Sequence, residues 1–166
     1  MGSRENFDAD VAAHPFVLGL NEHHVRLLAD CAVRVIFESD QIIFRERETA
    51  NRFYLIERGE VILESSTAGG AAIVIDTIGN GDLLGWSWLF APYVWRFTAR
   101  ATKRTTAMFF YGTVLREYCE KDHTLGYELL KRMSEVMTHR LQSARGKLLA
   151  ACASTNQEGS KDERGG

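Results

Sequence analysis

All three tryptophans of this chain, Trp86, Trp88 and Trp95, fall within ten residues inside the stretch GDLLGWSWLFAPYVWRFTARA, Gly81 to Ala101. The same stretch carries Gly85, Ser87, Arg96, Phe97 and Thr98. This set suits recognition better than bond breaking. Aromatic faces stack on flat or apolar molecules, and a guanidinium makes charge-assisted bonds to phosphate or carboxylate. Arg96 beside Trp95 also has a cation–π contact open to it, which would take it away from a ligand. Tryptophans at such spacing equally fill cores. Trp86 and Trp88 share one side of an extended segment, and Ser87 faces the other. A ligand-binding face and a packed plug both stand as readings at this point.

Catalytic chemistry has less to work with. His14, His23, His24, His123 and His139 lie on the N-terminal segment or on expected helices. None lies on an expected strand, so a metal held by facing strands of a barrel is not expected, and the imidazoles read as surface groups. No phosphate-binding Gly-rich loop, Ser/His/Asp set or pocket pair of carboxylates is visible. Cys31, Cys119 and Cys152 are far apart, odd in number and without a CxxC pair. They read as bland buried thiols in a reducing cytoplasm. No enzyme is expected, no metal site, and no required cofactor.

The chain has 166 residues, 45% hydrophobic and 25% charged, with a formal charge of −2. That length and composition fit one domain or a little more with a sizeable core. The charge supplies no global field toward nucleic acid or acidic lipid. Met1–Asp10 is polar and acidic, unlike a secretory leader. No apolar run approaches the ~18 residues of a membrane span.

The elements that must position the aromatic stretch follow from periodicity. Pro15–Val35 reads as a helix, with Leu20, His24, Leu27, Leu28 and Cys31 at three- and four-residue steps and Asn21 as N-cap. From Val33 to Tyr111 the period is two. VRVIFESDQIIFRER reads as two strands broken at Ser39-Asp40, and RFYLIERGEVILES as a hairpin turning at Arg58-Gly59. AAIVIDTI reads as a strand, GNGD as a turn, and FTARATKRTTAMFFYG as further strand. TVLREYCEKD then reads as a short helix capped by Thr113. A long helix follows, striped by Leu130, Met133, Met137, Leu141, Ala144 and Leu148. The tail STNQEGSKDERGG reads as disordered.

This order resembles the cyclic nucleotide-binding domain family, the sensor domain of catabolite activator and Fnr-type regulators, over Pro15 to Leu149. FYLIERGEV is similar to the family's hairpin at Tyr54, Ile56, Gly59 and Val61. IGNGDLLGWSWLF is similar to its Gly-Asp-x-x-Gly-Glu-x-x-Leu-Phe motif at Gly81, Asp82, Gly85, Leu89 and Phe90. FTARATKRTTAMFF is similar to its Ala-Thr-Val-Arg-Ala strand at Thr98, Arg100 and Ala101. The resemblance makes Gly81–Ala101 a phosphate-binding cassette, in which backbone N–H groups at a short helix start and an Arg hold the cyclic phosphate.

The cassette is altered. Trp86 stands where the family's Glu accepts from the ribose hydroxyl, and Trp88 where a small residue is common. The family's Arg-Ser pair aligns with Trp95-Arg96, and a slightly shorter loop lets Arg96 slide into the Arg role. Arg47 replaces the Gly usual in the second strand's turn. Ala144 takes the place of a hydroxyl residue that reaches the base, with Arg145 as its neighbour. Losing the Glu removes about 1–3 kcal/mol of hydroxyl recognition.

The resemblance implies a mainly β fold with flanking helices: a double-stranded β-helix (jelly-roll) barrel at about 33–112, then C-terminal helices over 113–153. A flexible N-terminus over 1–14 and a disordered tail over 154–166 complete the expectation. The expected function is a regulatory ligand-binding domain taking cyclic AMP, another cyclic nucleotide or another small anion. The expected binding residues are Gly85, Trp86, Ser87, Trp88, Trp95, Arg96, Phe97, Thr98 and Arg145. The alternative is a binding-deficient relative serving as a dimeric adaptor. A homodimer through the Leu130–Leu148 stripe is expected. Direct DNA binding is not, since fewer than twenty residues follow Leu149.

Overall fold

Strand pairing in this computed structural model separates neighbours in sequence and joins distant ones. The structure describes the backbone of residues 2–162 and the side chains of residues 6–155. One sheet holds β1 (Ala32–Phe37), β8 (Thr105–Tyr111), β3 (Arg52–Arg58) and β6 (Leu83–Leu84), in that order. The other holds β2 (Ile42–Phe44), β7 (Thr98–Ala101), β4 (Val61–Ser66) and β5 (Ala72–Ile78). Every pairing is antiparallel. This is the expected jelly roll.

The segment RFYLIERGEVILES is not a hydrogen-bonded hairpin. β3 pairs with β6 and β8, while β4 pairs with β5 and β7, so the turn carries the chain from one sheet to the other. Gly59 makes that corner at φ 117°, where a Cβ would fall 2.6 Å from the Thr105 backbone. The period-two pattern identified both strands but not their partners. Between the sheets lie Phe44, Tyr54, Ile56, Leu63, Leu84, Trp95, Ala99 and Ala107, all buried. The alanines leave the room that the large rings use.

The helices differ more from expectation. Gly2–Ala13 forms α1 where a flexible end was expected. Val11 is fully buried, and Asp10 pairs with Arg34 at 2.6 Å. The Arg34 guanidinium also lies 4.8 Å over the Phe7 ring. These ties cross more than twenty positions, so local composition did not reveal them. The expected helix Pro15–Val35 is shorter: α2 spans Glu22–Cys31, and Ala32 opens β1. Asn21 caps α2 as expected, accepting the His24 N–H at 2.8 Å.

α3 spans Gly112–Lys121 with Tyr111, not Thr113, at its N-cap. Its first N–H is taken by the Asn51 carbonyl at 2.8 Å, which satisfies one of the four N–H groups that a helix start leaves without an internal partner. α4 spans His123–Asp162. Asp122 stands before it and accepts the Thr124 and Leu125 N–H groups. The chain divides into two units, Met1–Leu130 and Lys131–Gly166. In the second, helix persists through 154–162, where disorder was expected. Ser154 and Thr155 within it donate their hydroxyls to the Ala150 and Ala151 carbonyls four residues back. Residues 163–166 lie outside the described residues. Leu141 and Leu148 of the expected stripe are 68% and 64% exposed.

Candidate functional site

The cassette begins at a turn. The Gly79 N–H bonds the Asp82 carboxylate at 2.8 Å, and the Gly81 N–H bonds the Ile56 carbonyl at 2.8 Å. After β6 the chain passes Gly85 at φ 89° and enters a single 3-10 turn, Ser87–Leu89. The Ala91–Pro92 peptide is cis. Tyr93 follows at φ 55°, its ring 4.3 Å beneath the Arg116 guanidinium.

The tryptophans take three environments. Trp86 is half-buried at the start of the 3-10 turn, with no side-chain cap there. Trp88 is fully buried, stacked on Phe53 at 5.3 Å, and Phe53 stacks in turn on Phe110 at 4.7 Å. Gly112 faces it so closely that a Cβ would come within 2.8 Å of the Trp88 ring. The Trp88 indole N–H is buried without an acceptor among the described residues, a cost of about 1–3 kcal/mol that the ring's packing must exceed.

Trp95 is 2% exposed and belongs to the core between the sheets. Its ring stacks on Phe44, centroids 3.8 Å apart and planes at 10°. Gly85 is its other wall, since a Cβ there would sit 2.7 Å from the indole. The Trp95 backbone is clamped as well. Its N–H bonds the Glu48 carbonyl at 2.9 Å, and its carbonyl takes the Arg47 N–H at 2.8 Å.

The remaining expected binding residues are dispersed. Ser87 is buried and Phe97 half-buried. The Thr98 hydroxyl accepts the Glu46 N–H at 3.1 Å. Arg96 is exposed, with no ion pair among the described residues. Arg145 is exposed in the second unit. So Trp88 and Trp95 are packed rings rather than open stacking faces. Sequence reasoning missed Phe44, Gly112 and the Arg45–Ala50 loop as their partners. Arg47, standing where a Gly is usual, was the one visible sign of that loop.

The histidines also need correcting, since two are not surface groups. His14 is 5% exposed, its Nε2 3.3 Å from the Ile56 carbonyl and its Nδ1 accepting the Phe16 N–H at 3.2 Å. Burial lowers its pKa. His24 is 2% exposed and bonds the Asp122 carboxylate at 2.8 Å, which lowers the Asp122 pKa. Among the described residues no three His, Cys, Asp or Glu side chains come together to hold a metal ion. Cys31 and Cys119 are half-buried, with burial raising their pKa values, while Cys152 is exposed rather than buried. An open cleft of about 480 Å³ is lined by Asp10, His14, Arg34, Glu57, Arg58 and Thr106 among others, and by no residue of 85–98.

Comparison with known proteins agrees with this architecture. The sequence model of the family described as cyclic nucleotide-binding domain matches residues 34–122. A cAMP-dependent protein kinase regulatory subunit of Schizosaccharomyces pombe is 29% identical over 90 residues, covering 54% of this chain. The chain spans about a fifth, 21%, of that relative's length. A Geobacter metallireducens GS-15 structure bearing a cyclic nucleotide-binding name is 26% identical, with a TM-score of 0.72 over 85% of this chain and 99% of that one. A cyclic nucleotide-binding domain from Methylobacillus flagellatus KT has a TM-score of 0.78 at 16% identity, over 89% of this chain and 85% of that one. The catabolite activator protein of Thermus thermophilus has a TM-score of 0.66 at 20% identity, over 83% and 63%. At those two identities the likeness speaks for the fold alone. No described helix is long and apolar enough to cross a membrane. The chain belongs to the cyclic nucleotide-binding domain family.

Proposed function

We propose that this chain is a non-enzymatic regulatory module whose barrel is filled by its own indole and which signals through contacts with protein partners. One observation carries this reading: Trp95 stacks at 3.8 Å on Phe44 inside the sheets and is held at both backbone polar groups. In the resemblance, Trp95 occupies the position of the cassette's phosphate-binding Arg. A cation aimed at a ligand has been replaced by an apolar ring aimed at the core. Emptying that space would cost the burial of an indole, several kcal/mol, before any ligand gained a contact. Self-association through the exposed Leu141 and Leu148 belongs to the same reading, as does a reducing cytoplasmic setting for three unpaired thiols.

Calorimetric titration with cyclic AMP and cyclic GMP tests it. No heat is expected from the wild-type chain. Binding at about 10 μM or tighter would overturn the filled-barrel reading.

A second reading, a sensor for a small anion, draws support from the exposed Arg96 in the same cassette segment as Gly85 and Ser87. Under it, Arg96→Ala weakens binding of any phosphate-bearing ligand by at least about tenfold, the value of a hydrogen bond to a charged group. Unchanged affinity would remove Arg96 from such a site.

A further inference from the structure

Two segments of the first unit, Arg45–Ala50 and Tyr93–Arg96, run antiparallel. Thr49 bridges Val94, the Ala50 N–H bonds the Tyr93 carbonyl at 2.7 Å, and the Trp95 N–H bonds the Glu48 carbonyl. The Arg47 N–H then bonds the Trp95 carbonyl, so Arg47 and Glu48 both face Trp95, and the exposed Arg47 stands beside the backbone that leads into the exposed Arg96. Two like charges are thus carried on adjoining backbone segments. Arg47 adds backbone strain at φ 70°, and Tyr93 adds more at φ 55°. Among the described residues these are two of the three non-glycine residues with positive φ, and both lie in these two segments.

Nearby carboxylates do not relieve the charge. Glu46 accepts from the Ser65 hydroxyl and the Ser66 N–H, and Glu48 accepts the Arg45 N–H. Among the described residues neither Arg47 nor Arg96 forms an ion pair. In the segment that leads to Arg96, Phe90 is 42% and Tyr93 38% exposed, with Arg116 stacked on Tyr93.

We infer that Arg47 and Arg96, with Phe90 and Tyr93, form a docking surface for an acidic protein segment that also carries apolar side chains. The inference rests on the proposed action through protein contact and names the partner's chemistry. Unpaired guanidinium groups beside exposed aromatic rings are the composition of interface hot spots. A polynucleotide is the poorer fit, because the chain's net charge is −2 and the patch is small and interrupted by Glu46 and Glu48.

The probe is a fluorescein-labelled peptide of Glu-Glu-Phe repeats, read by fluorescence anisotropy, with a Lys-Lys-Phe counterpart. The acidic peptide is expected to bind and the basic one not, with affinity falling as salt rises. The double variant R47A/R96A is expected to bind about tenfold more weakly or worse. R96A alone, which leaves the backbone of Arg47 untouched, is expected to lose part of that. Three results would overturn the surface: no binding of the acidic peptide, equal binding by wild type and both variants, or arginine-dependent binding of a single-stranded DNA oligonucleotide in the peptide's place. Cyclic AMP titration of the same samples separates the two ideas. Nucleotide binding alongside arginine-dependent peptide binding would sink only the filled barrel.

Discussion

The indole of Trp95 lies flat on the ring of Phe44, fifty-one positions earlier, with planes only 10° from parallel. The contact joins the cassette to β2 across the interior of the jelly roll, and Gly85 gives it room. Removing the ring leaves a cavity between two sheets that cannot easily collapse. Trp95→Ala is expected to lower stability by about 3–5 kcal/mol, measured by urea denaturation. Trp95→Phe, which keeps a stacking ring, is expected to lose less than half as much. Near-neutral values for both would mean that the ring does not hold the sheets together.

Gly85 tests the same wall from the other side. Gly85→Ala places a methyl group 2.7 Å from the indole and forces an L residue to φ 89°. The two penalties together are expected to cost about 2–4 kcal/mol, with a shift in tryptophan emission as Trp95 is displaced. A thermal midpoint equal to wild type would show that Trp95 has free space to move into.

Arg47 runs the opposite way. Its φ of 70° is unfavourable for any side chain, so Arg47→Gly is expected to stabilise the fold by about 0.5–1 kcal/mol despite glycine's larger unfolded-state entropy. Denaturant midpoints decide this, and a loss of stability would mean that the Arg47 side chain holds the loop.

The pH dependence follows from His14. Burial, partly offset by the Ile56 carbonyl, holds its folded pKa below the ordinary 6.5. The folded state therefore binds fewer protons than the unfolded state between the folded pKa and 6.5. Its contribution to stability is complete above that ordinary value and is lost as pH falls toward the folded pKa. Its geometry gives the cause: Nε2–H faces a carbonyl, and Nδ1 already accepts an N–H, so a second proton meets a donor. Denaturation profiles from pH 7.5 to 5.5 are expected to slope downward on acidification, and His14→Gln to flatten the slope. An unchanged slope in that variant would assign the effect elsewhere.

Much of the barrel was legible because period-two runs and glycine or aspartate turns are local signals. Val33–Phe37, Phe53–Ile56 and Ala72–Ile78 declared themselves as strands in this way. Pairing was not legible, and so the turn at Gly59 looked like a hairpin. In the cassette the sequence exposed the departures, Trp for Glu and Trp for Arg, but left two readings of the rings. Orientation was decided by Phe44, Phe53 and Gly112, none of them within twenty positions of the ring it meets. The burial of His14 and His24 likewise came from distant groups, the Ile56 carbonyl and the Asp122 carboxylate.

β5 ends its sheet, paired only with β4, and there Ile73 and Val74 are 51% and 53% exposed. Natural edge strands are usually blunted by a lysine, a proline or a bulge turned away from neighbours. The stretch Ala71–Ile75 has neither residue, and its one such device is the bulge that leaves Ile75 unpaired between Asp76 and Val74, so concentrated samples are expected to adhere rim to rim along the Ala72–Val74 end, and Val74→Lys to keep them dispersed without touching the barrel.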